Sequence, residues 1–133
     1  MIDRFVKFEG SSNQIFRGRL RITLSPKNFF MLNEAAFEAL GSPAAVEFYF
    51  DAHERKIGVK GCAPEVRYAF RVGKDRMCYI IHAGAFCRHN LIKTNRRVLF
   101  EEPEVRPDQM LVLDMAKTIN VSRNFGPSKA LEG

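Results

Sequence analysis

Apolar and polar positions alternate over residues 16–24. Phe16, Gly18, Leu20, Ile22 and Leu24 fall on one side, and Arg17, Arg19, Arg21 and Thr23 on the other. Strand side chains change face at every residue, so this alternation predicts a half-buried β-strand. Ser25-Pro26-Lys27-Asn28 interrupts it with a turn signal, since proline pre-sets φ and asparagine tolerates the left-handed region. Phe29-Phe30-Met31-Leu32 then reads as the returning strand of a hairpin. Asn33 can cap a helix over residues 34–40, with acids Glu34 and Glu38 early and Gly41 as its left-handed stop. Val46-Glu47-Phe48-Tyr49-Phe50, a polar turn over 51–55, and Lys56-Ile57-Gly58-Val59-Lys60 form a second hairpin.

The second half follows the same plan. Arg67-Tyr68-Ala69-Phe70-Arg71-Val72 alternates as a strand, Gly73-Lys74-Asp75 turns, and Met77-Cys78-Tyr79-Ile80-Ile81 returns. Residues 82–89 are expected to be the short helix, with His82 as its cap and Asn90 standing where Gly41 stood. Val98-Leu99-Phe100 and Met110-Leu111-Val112-Leu113 are expected to close the plan as a hairpin around an acidic, proline-bearing loop. Aligning Ala36-Phe37 with Ala85-Phe86 matches Leu32 with Ile81 and Asn33 with His82. The chain is therefore expected to be mainly β with short helices. A single domain would span residues 1–125, with pseudo-repeats 15–61 and 67–115 and a flexible tail over 126–133. A non-repeating α+β domain is the alternative.

A length of 133 residues suits one domain with a real core. No apolar run approaches the roughly 18 residues of a membrane helix. The N-terminal residues alternate charged and apolar types without the apolar stretch of a secretory leader. Cys62, Cys78 and Cys87 are an odd, widely spaced set that suits reduced thiols, so a cytoplasmic protein away from membranes is expected. Charge changes the picture more. Lys and Arg number 21 against 15 Asp and Glu, a formal net of +6. Residues 67–97 carry eight basic residues and the single acid Asp75, whereas residues 98–114 carry five acids and one arginine. Such segregation suits an anionic partner, although a net charge of this size also serves solubility alone.

The strongest local feature is Arg17-x-Arg19-x-Arg21, three guanidinium groups on one strand face, with Arg67 and Arg71 on the related face of the second unit. Arginine forks suit phosphate oxygens, and a two-stranded ribbon can enter a major groove. These five residues are the candidate contacts to double-stranded DNA. The competing reading is an edge strand guarded by charge, or pairing with acids such as Glu47. Arg88, His89, Lys93, Arg96 and Arg97 form a second cluster. It would extend the phosphate-contacting surface, or pair with Glu101, Glu102 and Glu104 of another copy in a homo-oligomer. Cys78, His82, Cys87 and His89 span a strand, a cap and a helix, a spacing unlike paired zinc ligands, so no metal site is expected. There is no nucleophile elbow, phosphate-binding glycine loop or zinc-protease motif, so no catalytic residue, cofactor or small-molecule ligand is expected.

The run Arg19-Leu20-Arg21-Ile22-Thr23-Leu24, the turn, Phe29-Phe30-Met31-Leu32 and the helix ending Leu40-Gly41 resemble the AbrB-type swapped-hairpin unit. The Val46-Glu47-x-x-x-Asp51 hairpin that follows fits it as well. Two such units interlock there into one small β-barrel, and two units in one chain resemble the MraZ-like pseudo-dimer. The phrasing Leu32-Asn33-x-Ala35-Ala36 and Ala39-Leu40-Gly41 is also similar to that of bacterial proteins of unknown role. The resemblance implies a duplicated barrel whose first hairpin contacts DNA, hence a transcriptional regulator or antitoxin-like repressor. A scaffold that self-assembles without nucleic acid is the alternative.

Overall fold

A computed structural model describes residues 20–121. Arg17, Arg19 and the expected tail lie outside the described residues. In chain order the elements are β1 (Ile22–Leu24), β2 (Phe29–Leu32), α1 (Glu34–Ala39), β3 (Ala45–Asp51) and β4 (Lys56–Cys62). Then come β5 (Phe70–Arg71), β6 (Gly73–Asp75), β7 (Cys78–His82) and α2 (Gly84–His89). β8 (Val98–Phe100), β9 (Glu104–Val105), β10 (Leu111–Asp114) and β11 (Thr118–Asn120) complete the described chain. The protein is mainly β, as the alternating runs predict. Among the described residues no helix is long and apolar enough to cross a membrane.

The strands form two sheets, one in the order β11-β8-β1-β2-β7-β6 and the other β5-β3-β4-β10-β9. Both are open, which corrects the closed barrel. At one corner β5 and β6 are one bent segment: Arg71 pairs with Ala45 in the second sheet and Gly73 with Ile80 in the first. Between them the Val72 amide donates to the Ala44 carbonyl at 2.9 Å. At another, β8 and β9 lie in different sheets on either side of Pro103, which has no amide to donate. The inner faces meet in one core that includes Ile22, Leu24, Phe30, Ile57, Ile81, Phe100, Leu111 and Leu113.

β2 and β7 pair antiparallel in the interior of the larger sheet. Met31 faces Ile80, and the flanking pairs are Phe30 with Ile81 and Leu32 with Tyr79. Leu32 and Ile81 stand as far apart along the chain as Phe30 and Tyr79 do, so each flanking pair is the other with its halves exchanged.

Other expectations are revised. The first hairpin forms around the expected turn, with Asn28 at φ 68°, but β1 starts only at Ile22 and residues 16–19 lie outside the described ones. In the second, Gly73, Lys74 and Asp75 are strand and the turn falls on Arg76 at φ 58° and Met77. Val98–Phe100 and Leu111–Asp114 form no hairpin: the former pairs with β1 and β11, the latter with β4 and β9. Each run pairs in a different sheet.

Candidate nucleic-acid interface

The turn between β1 and β2 is built by its own residues. The Ser25 hydroxyl oxygen accepts from the Lys27 and Phe29 amides at 3.2 and 3.3 Å, and the Asn28 amide donates to the Ser25 carbonyl at 2.9 Å. The Asn28 carbonyl then accepts from the Ala83 amide at 2.8 Å, tying the turn to the start of α2. This link brings the second basic cluster to the first hairpin. A hollow of about 350 Å³ is lined by Pro26, Asn28, Cys87, Arg88, Leu91 and Lys93, two cations and no acid. Arg97, just ahead of β8, reaches Phe29: its guanidinium lies 5.9 Å from the ring centroid and donates to Met31 Sδ at 3.2 Å. The exposed ring of His82 meets Phe29 from the other side at 5.6 Å.

At the back of the hollow Cys87 is fully buried. Burial pushes its thiol up to about 11, and Arg88 beside it acts weakly in the opposite direction. Such a thiol is a small hydrophobe rather than a nucleophile at neutral pH.

The predicted site residues are dispersed. Arg21 is exposed just ahead of β1, where its amide donates to Asn33 Oδ1 at 3.2 Å. Arg71 is exposed on β5, and Arg67 sits in the turn before it rather than on a strand. Pairing places Thr23, Met31, Ile80 and Gly73 in one row across β1, β2, β7 and β6. Arg21 and Arg71 each precede this row by two residues on strands of opposite direction, so they lie at opposite ends of it. Thr23, expected among the outward polar positions, is only 5% exposed, flanked across the sheet by Met31 and Leu99. Alternation identifies which side a residue takes but not whether that side is solvent.

Glu47 pairs across the sheet with Lys60 and accepts from the Tyr49 hydroxyl at 3.2 Å. Of the acids expected to pair in trans, Glu102 is engaged within the chain by Lys117 at 3.0 Å; Asp108 of the same acidic stretch meets Lys60 at 3.7 Å. Lys117 is raised by its bond to Glu102, and Asp108 is lowered chiefly by the Met110 amide. All these contacts are exposed and individually weak. Among the described residues Lys27, Arg88 and Lys93 enter no ion pair.

His82 is not a cap. It ends β7, and the position before α2 is Ala83, which offers no side-chain bond. Cys78 donates its thiol to the Asp75 carbonyl at 3.3 Å. Among the described residues no group of three or more His, Cys, Asp or Glu could hold a metal ion. Lys27 was the cation sequence reasoning missed; its signal is its place in the hairpin turn itself. No family model, curated protein or solved structure matches the chain.

Proposed function

We propose that the protein is a non-enzymatic DNA-binding protein, a transcriptional regulator or antitoxin-like repressor, that contacts phosphates around its first hairpin turn. One observation carries the reading. The turn bearing Lys27 is flanked by Arg88 and Lys93 in a hollow without an acid, with Arg97 on the adjoining Phe29. Cations gathered from both halves around an exposed turn suit the anionic edge of a duplex. Arg21 and Arg71, exposed at opposite ends of a shared row, would reach different phosphates. The exchanged pairs around Met31 and Ile80 favour an AbrB-like duplication in which the halves meet through equivalent strands, here with the sheets left open.

Fluorescence anisotropy with a random-sequence duplex, titrated with salt, tests this. The wild-type logarithmic affinity should fall steeply with the logarithm of salt. Arg88→Ala and Lys93→Ala should each make the slope shallower by about 0.9. Lys56→Ala, which removes a cation already beside Glu54 at 3.4 Å, should leave it unchanged. Salt-independent binding, or equal effects from all three variants, overturns the proposal.

A further inference from the structure

A second concavity opens where β3, the turn before β5 and α2 meet. Its volume is about 560 Å³, within the range of small-molecule sites. Phe48, Phe70 and Phe86 line it, with Phe48 stacked on Phe86 at 4.7 Å and edge-on to Phe70 at 4.9 Å. Tyr68 stands at the mouth, 78% exposed and held at φ 68°, a conformation that costs a bulky residue energy. The Arg67 guanidinium lies 5.0 Å from the Tyr68 ring centroid and enters no ion pair among the described residues. Glu47, the acid on this wall, bonds the Tyr49 hydroxyl instead. His89 adds a second basic group.

We propose that this cleft binds a small planar aromatic acid, its ring against Tyr68 and the phenylalanine floor and its carboxylate on Arg67. Aromatic walls recognise a flat ring by offset or edge contacts, and a guanidinium above such a wall recognises a carboxylate bidentately. An aliphatic acid would satisfy only the second requirement and a neutral arene only the first. The assignment reverses the sequence-based expectation that no small molecule is bound, and it stands independently of the DNA reading.

Isothermal titration calorimetry with 2-naphthoate tests it, with 2-naphthamide as the neutral ring and cyclohexanecarboxylate as the non-aromatic acid. 2-Naphthoate should bind one-to-one with a Kd of about 1 mM or below, and each comparison compound about tenfold more weakly. Arg67→Met should weaken 2-naphthoate about tenfold and leave 2-naphthamide unaffected. Tyr68→Ala should weaken both rings alike. Ala85→Phe, which fills the cleft from the exposed side of α2, should abolish binding, with circular dichroism confirming the fold. Absence of saturable binding overturns the proposal, as does binding indifferent to Arg67 and Ala85. Binding of single-stranded DNA at the cleft without 2-naphthoate binding would assign it to an unstacked base and likewise overturn it.

Discussion

The two helices show how differently the same short element can be held. α1 obeys the local rules at its start and its stop. Asn33 caps it by accepting from the Ala36 amide at 3.0 Å, Glu34 sits in its first turn, and Gly41 closes it at φ 93°. α2 obeys few. Ala83 offers no cap bond, the first turn has no acid, and the left-handed position falls on exposed Leu91 at φ 56°. Only its basic last turn, Arg88 and His89, agrees with the helix dipole. Tertiary contacts hold α2: Phe86 stacks in the aromatic floor and Cys87 is buried. Both concavities described above border α2 and neither borders α1. Local rules are broken where a surface is being shaped rather than where an element is merely being stabilised.

The largest test strikes the attachment of α1. A Cβ on Gly61 of β4 would lie 2.9 Å from the Leu40 carbonyl oxygen and 2.9 Å from Pro43 Cβ. Gly61→Ala should therefore cost about 2–3 kcal/mol in urea unfolding. A loss below about 0.5 kcal/mol would mean that the end of α1 yields freely, erasing the contrast with α2. Next comes the cap. Asn33→Ala removes the bonds to Ala36 and Arg21 and should cost about 1–2 kcal/mol by the same measurement. The helix stops then predict opposite signs. Gly41→Ala should destabilise by about 1 kcal/mol, whereas Leu91→Gly should stabilise by about 1 kcal/mol. Equal signs would show that the end of α2 is not strained.

These contrasts also explain what could be read from the sequence. Asn33, Gly41 and the Ser25-Pro26-Lys27-Asn28 turn act through neighbours in the chain, so the first unit was legible nearly residue by residue. The second was not. Gly73 and Asp75 carry turn-forming character yet are strand, because Ile80 and Cys78 are available across the sheet. Nothing local tells Val98–Phe100 to choose β1 over β10. The site suffered likewise: the arginine row rested on alternation continuing through Thr23 into solvent, and Thr23 is buried. What gathers Arg88 and Lys93 at the first turn is the long-range pairing of β2 with β7, extended by the Ala83 to Asn28 bond, with no signature in either segment.

The finest test separates the helices by what they bury. α1 buries alanines, whereas α2 buries the thiol of Cys87, held at about 11 against an ordinary value of 9. Between those values the unfolded chain has lost the proton and the native chain keeps it, so stability must fall as pH rises. Relative to pH 8, the loss attributable to this thiol should reach about 0.8 kcal/mol at about pH 9.5. Tyrosines and lysines titrate over the same span, so the wild type is read against Cys87→Ala. The variant is less stable throughout because it leaves a small cavity, but the gap between the two proteins should narrow as pH rises. A gap constant from about pH 8 to 10 would mean that Cys87 ionises equally in both states, and that α2 admits water where its packing says it should not.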